Sequence, residues 1–137
     1  TQIELNQGEI KVKYSQPKSG KISLNELGFK DEDLFIESGL LRLVIDLEGI
    51  SEPNFFKMPT LEFTYKEQMA ETHWICDFND QTILDKTDHH GHSTVILLSR
   101  EKIESLVQRH ENKLIVHAEF PEAVHLIASE SFITLFN

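Results

Sequence analysis

Apolar and polar side chains take turns along several short stretches of this chain. The clearest runs from Leu40 to Glu48: Leu41, Leu43, Ile45 and Leu47 fall on one parity, and Arg42, Asp46 and Glu48 on the other. A period of two predicts a strand with one face buried. The same reading applies to Leu61, Phe63 and Tyr65 against Glu62, Thr64 and Lys66, and to Trp74, Cys76 and Phe78 against Ile75 and Asp77. These two stretches are expected to pair with each other, antiparallel. At the N-terminal end Ile3, Leu5, Ile10, Val12 and Tyr14 alternate in part, with Gly8 as a turn or bulge between them. Gln16 to Gly20 reads as a loop, and Ile22 and Leu24 restart a strand. Asn25 to Phe29, with the KDEDLF run after it, is expected to form a turn or one helical turn. Val124, Leu126 and Ile127, then Phe132, Ile133, Leu135 and Phe136, suggest two short strands, with a C-terminal helical turn as the alternative.

One segment changes period. Val95 to Leu98 is an unbroken apolar run, which predicts a strand covered on both faces. Ser99 follows as an N-cap, and Glu101 suits the positive end of a helix dipole. Ile103, Leu106, Val107 and His110 then recur at helical spacing, which predicts a helix over 99–110. Burying its three aliphatic side chains would contribute roughly 5–9 kcal/mol before entropy. So short a helix must dock to persist. Leu114, Ile115 and Val116 resume a strand. The two flanking strands are expected in one sheet, either as parallel neighbours joined by a right-handed crossover or antiparallel. Asn79 to His92 is polar and reads as a long loop anchored by Ile83 and Leu84.

The elements together predict one α+β domain spanning residues 1–137: a largely antiparallel sheet with one main helix packed on it. The length fits a single domain. No apolar stretch approaches the roughly 18–20 residues of a membrane span. The start shows no charged region followed by an apolar core, so no signal peptide is expected. Thr1 in place of Met is what a processed chain, or a piece of a longer one, would show. One cysteine, Cys76, excludes an intramolecular disulfide and makes cytoplasmic residence the default. Its neighbour Asp77 disfavours a thiolate, so a buried small hydrophobe is the simpler role.

The formal net charge of −10 argues against binding a phosphate backbone with the whole surface. The charge is uneven. Residues 1–30 hold five lysines against three glutamates, net +2, and the remainder carries net −12. Lys11, Lys13, Lys18 and Lys21 are expected to point outward from an edge, where they discourage edge pairing or dock an acidic partner. Phe55 and Phe56 lie in the Pro-rich loop from Ile50 to Thr60. They either fold over the core or grip a protein partner.

Chemistry has few footholds. Asp88, His89, His90, Gly91 and His92, with Asp85 nearby, offer a donor set for a divalent metal such as Zn²⁺, Ni²⁺ or Cu²⁺. Adjacent side chains diverge, which leaves His90, His92 and Asp88 as the candidate ligands; a solvated loop is the simpler reading. The spacing matches no helical His pair and no paired cysteines. Asp77 and Asp80 could meet Glu62 as a carboxylate site if the strands at 61–65 and 73–78 were neighbours. His73, His110, His117 and His125 are scattered, and partly buried histidines are commoner than catalytic ones. No nucleophile elbow, phosphate loop or dinucleotide fingerprint is present.

Trp74, Leu97, Leu98, Ser99, Glu101, Ile103, Glu104, Leu106, Leu114 and Ile115 carry a resemblance. Over this half of the chain the sequence resembles an α+β module of large bacterial multidomain proteins, some of them in ATP-driven antiviral defence. The resemblance implies fold more than chemistry, since most of these positions are core-type. Any ATPase activity would have to lie elsewhere.

The expected function is a non-enzymatic binding or assembly module of a larger bacterial protein or complex. Its expected partner is a protein, met through Phe55, Phe56, Lys11 and Lys13. Nucleic acid and membrane are disfavoured, and self-association is left open. The alternative is a metal-dependent hydrolase built on the 85–92 loop, for which a divalent metal is the one cofactor the residues allow. A nucleic-acid binder acting through the lysine end is the third reading.

Overall fold

The computed structural model describes residues 2–6, 9–14, 20–27, 33–48, 50, 58–68 and 71–136. Phe55, Phe56, Lys18, Gly8 and most of the expected loop from Gln16 to Gly20 lie outside the described residues. Of the turn expected over Asn25–Phe29 and KDEDLF, Asn25–Leu27 form one 3-10 turn, residues 28–32 lie outside the described residues, and Asp33–Phe35 belong to a strand instead.

The chain is mainly β, not α+β: 55% of the described residues are in strands and 11% are helical. In chain order the strands are β1 (Gln2–Asn6), β2 (Glu9–Lys13), β3 (Ile22–Ser23), β4 (Asp33–Ile36), β5 (Leu40–Asp46) and β6 (Thr60–Thr64). There follow β7 (Thr72–Phe78), β8 (Gln81–Asp88), β9 (Ser93–Leu97), β10 (Lys113–Glu119), β11 (Val124–Ile127) and β12 (Phe132–Thr134). Among the described residues one α-helix, α1 (Arg100–Leu106), joins β9 to β10. The described residues form three sheets, in the orders β1-β2-β5-β10-β7-β8, β3-β12-β6-β9 and β11-β4. Every pairing is antiparallel except β2 with β5.

The two larger sheets pack face to face over one core. Alternation decides which side chains enter it. Leu41, Leu43 and Ile45 of β5, Trp74, Cys76 and Phe78 of β7, and Leu61 and Phe63 of β6 are all fully buried. The expected pairing of residues 61–65 with 73–78 is therefore replaced by a contact between sheets. Phe63 and Trp74 stack with ring centroids 5.9 Å apart and planes 6° apart. In the hydrogen-bonding direction β6 lies between β12 and β9, and β7 between β10 and β8. The β11-β4 pair adds Leu34, Ile36, Val124 and Leu126 to the same core and meets the β6 line through a bridge between Tyr65 and Leu126.

Three further expectations are corrected. Residues 81–88 are a strand, entered from β7 through Asn79 and Asp80, whose φ values of +49° and +66° suit a tight hairpin turn. The Val95–Leu98 run is not covered on both faces: Thr94, Ile96 and Leu98 point into the core, and Val95 and Leu97 are exposed. β9 and β10 do not share a sheet, so no crossover joins them.

The helix is shorter than the 99–110 that its spacing predicts. Ser99 caps it, its Oγ accepting from Lys102 N at 3.4 Å. At the other end Val107 is extended, with ψ of 132°. The Gln108 N–H donates to Asn112 Oδ1 at 2.7 Å instead of to a carbonyl one turn back. Ile103 is buried, Leu106 and Val107 are partly buried against the core, and His110 is exposed. Only the first of the three expected anchors is thus fully withdrawn from water.

Candidate functional site

The His/Asp segment forms the connection between β8 and β9. His90 Nδ1 lies 2.7 Å from the Gly91 carbonyl, and His90 Nε2 lies 2.7 Å from Thr72 Oγ1. A carbonyl only accepts, so Nδ1 carries a proton, and in the neutral ring Nε2 then accepts from the Thr72 hydroxyl. Asp88 Oδ2 accepts from Thr94 Oγ1 at 3.0 Å. The His92 carbonyl accepts from Tyr65 N at 2.7 Å, and its side chain is exposed. His90 and Asp88 therefore tie β7, β8 and β9 together, and a cation would have to displace those bonds. Among the described residues no three His, Cys, Asp or Glu side chains are grouped so as to hold a metal ion.

Of the lysine end, the described Lys11, Lys13 and Lys21 are each paired with a carboxylate. Lys11 lies 3.4 Å and Arg42 2.9 Å from Glu9, and Lys13 lies 2.6 Å from Glu48. Hydrogen bonding from Arg42 holds the Glu9 carboxyl below its ordinary value, against a smaller upward push from desolvation. Lys13 does the same for Glu48. β2 is an inner strand between β1 and β5, so its lysines do not guard an edge. Glu62 pairs with Lys21 at 3.1 Å, and Asp77 accepts from Thr82, so the carboxylate site imagined from Glu62, Asp77 and Asp80 does not assemble.

Pairing of β7 with β10 brings together residues that looked scattered. On the outer face of the six-stranded sheet His73 stands opposite Glu119, with His117 on the same face two residues before it. His73 Nε2 is 2.8 Å from Asp85 Oδ1 and its Nδ1 is 3.8 Å from Glu119. His117 Nε2 is 3.2 Å from Glu119. The hydrogen bond to Asp85 raises the His73 pKa. Parity alone puts residues 73 and 117 on outward faces; only the pairing makes them neighbours. Cys76 is fully buried on the opposite face, and burial pushes its thiol up to about 12.

Edge strand β9 is the feature that sequence reasoning missed. Hydrogen bonds from Tyr65 N to the His92 carbonyl, at 2.7 Å, and from Leu98 N to the Pro59 carbonyl, at 2.9 Å, fix the phase of the β6–β9 ladder. In an antiparallel pair, bonded and non-bonded positions alternate. Thr94 and Ile96 therefore turn their backbone groups to β6, and Ser93, Val95 and Leu97 turn theirs to the open side. Among the described residues no strand pairs with that side. The side chains there are apolar and exposed: Val95 56%, Leu97 57% and the neighbouring Met58 58%. Ser93–Leu97 contains no charge. The outer edge of the other sheet is protected differently: β8 carries Asp85, Lys86 and Asp88, and Lys102 of α1 donates to its Ile83 carbonyl at 3.4 Å. A bare, uncharged, apolar edge is what most sheet proteins avoid unless it is covered by something.

No family model matches the chain, and no curated protein matches it in sequence. Among solved structures it is similar to part of dimeric latent PorU from Porphyromonas gingivalis, with a TM-score of 0.35 and 9% identity. The likeness covers 72% of this chain and 10% of that one, so the chain spans about a tenth of that protein's length. A likeness of this degree carries no argument about function, and nothing in these comparisons speaks to antiviral defence. Among the described residues no helix is long and apolar enough to cross a membrane.

Proposed function

We propose that this chain is a non-enzymatic binding or assembly module, part of a larger bacterial protein or complex, that docks a protein partner by adding a strand to β9. The observation that carries the reading is the outer edge of β9, which no strand pairs among the described residues. Ser93, Val95 and Leu97 offer backbone donors and acceptors to an incoming strand. Val95 and Leu97 offer apolar side chains beside them. Strand addition draws affinity from main-chain bonds and selectivity from alternate side chains, and β9 supplies both.

The test places a photo-crosslinking side chain at position 95 of the chain in its native source, and separately at Thr87 on β8. Protein adducts are expected from position 95 and not from position 87. Equal labelling at both positions, or substrate turnover by the purified chain, would count against a docking module.

A further inference from the structure

We infer that β8 is a proton-gated edge strand: alternating carboxylates and imidazoles across the outer face of the six-stranded sheet hold it in mild acid and slacken their hold in mild alkali.

These groups cross three strands. Asp85 of β8 lies 2.8 Å from His73 of β7, His73 lies 3.8 Å from Glu119 of β10, and Glu119 lies 3.2 Å from His117. His73 thus stands between two carboxylates. Its Nε2 faces Asp85 and its Nδ1 faces Glu119. A neutral imidazole carries a single N–H. Donation to Asp85 turns the Nδ1 lone pair on the Glu119 carboxylate, and the other tautomer turns a lone pair on Asp85. Only the imidazolium presents a proton to both. The second proton therefore extends a β8–β7 contact into one that runs from β8 through β7 to β10.

The surrounding groups do not reverse this preference. On β8, Thr87 stands opposite His73 and is uncharged, while Lys86 stands opposite Trp74, on the other face. Asp77, further along β7, accepts from Thr82. On β5, Leu40 stands opposite Glu119, and Arg42 stands opposite His117 and is drawn to Glu9 at 2.9 Å. Lys113 lies at the far end of β10. Asp85 first, and Glu119 after it, raise the His73 pKa. The hold is then complete below the unfolded imidazole value, about 6.5, and is lost as pH rises through the raised folded value.

β8 is where such a gate has leverage. Among the described residues it is the last strand of its sheet and pairs with β7 alone. The register of that pairing slips between Cys76 and Asp77, which interrupts the ladder. The same sheet supplies a control. β2 and β5 contain no histidine, and their outer-face contacts join Glu9 to Arg42 and Lys11.

Amide hydrogen exchange of the chain between about pH 5.5 and 8.5 tests this, with each rate corrected for the intrinsic rise of exchange with pH. Protection of the β8 amides should fall about two- to fivefold as pH rises, the size that exposed pairs support, while that of the β2 amides stays level. His73→Gln should abolish the fall in β8 and leave β2 unchanged. Glu119→Gln should shrink it, because the second proton then meets no charge. A flat β8 profile in the parent chain, or β8 and β2 losing protection in parallel, would overturn the gate. So would a fall that persists in His73→Gln or is undiminished in Glu119→Gln.

Discussion

Asn79 Nδ2 donates to Asn112 Oδ1 at 2.9 Å, and through this bond the β7–β8 turn, the end of α1 and the start of β10 are fastened at one point. Asn79 also donates to the Leu106 carbonyl and accepts from Lys113 N. Asn112, almost fully buried, donates to the carbonyls of Ile50 and Gln108 and accepts from Gln108 N. Asn112→Ala leaves several of these buried partners without a mate and should cost about 2–3 kcal/mol. Asn112→Asp keeps the acceptor, loses both donors and should be no better. Urea unfolding with an unchanged slope checks both. A double-mutant cycle with Asn79→Ala should show clear coupling between the two positions.

Phe63 and Trp74 bring the two large sheets into contact. Phe63→Ala opens a cavity where neither sheet can collapse freely, and a loss of roughly 3–5 kcal/mol is expected. Phe63→Leu should lose less. Tryptophan emission reports the change directly, because the chain has one tryptophan and Phe63 stacks on it. An unaltered spectrum in Phe63→Ala would contradict the stacking.

Gly39 has φ of +71°, and a Cβ added there would meet the Phe120 carbonyl oxygen at 3.0 Å. That carbonyl is backbone and cannot swing away. Phe120 N also donates to the Gly39 carbonyl at 2.8 Å, which holds the turn against β10. Gly39→Ala should therefore destabilise by about 1–2 kcal/mol from left-handed strain alone, with further loss from the contact. Thermal unfolding measures it, and a neutral result would mean the turn relaxes.

His73 is titrated by its surroundings. The Asp85 hydrogen bond raises its folded pKa above the unfolded value, so the fold favours the charged imidazole. The resulting stabilisation is fully present below the unfolded value, about 6.5, and is lost as pH rises through the raised folded value. The difference in Tm between the parent chain and His73→Gln should be positive in mild acid and vanish in mild alkali. A difference that grows with pH would reverse the assignment. The pair is exposed, so the effect is modest.

Much of the core was legible in the alternation, and the reason is geometric. Parity in a strand decides which face a side chain occupies, so Leu41, Leu43, Ile45, Trp74, Cys76 and Phe78 could be assigned to the interior without knowing their neighbours. Parity does not decide who lies alongside. That is why Phe63 and Trp74 were expected in one sheet when they meet across two, and why His73 and Glu119 looked unrelated. β8 is hidden in the sequence because Gln81, Thr82, Asp85, Lys86 and Thr87 are all exposed and leave little apolar alternation to detect. β9 failed in the opposite direction. An apolar run predicts cover on both faces, and nothing local distinguishes a strand covered by its own sheet from one awaiting cover. The helix was overextended because Gln108 to His110 continue the pattern, while Asn112, two residues beyond them, captures the amide that would have propagated it. The proposed metal ligands are likewise indistinguishable in sequence from a histidine and an aspartate engaged in strand-to-strand hydrogen bonds.

The lone thiol of Cys76 sits wholly inside the sandwich, with burial holding it protonated. Reagents that modify sulfur can reach it only during excursions in which β7 is laid open. Its alkylation rate thus becomes a built-in clock for those rare openings, readable by mass without any label. Under native conditions, a rate that tracks global unfolding would show that the sheet gives way as a unit; a faster one would show that β8 peels off by itself.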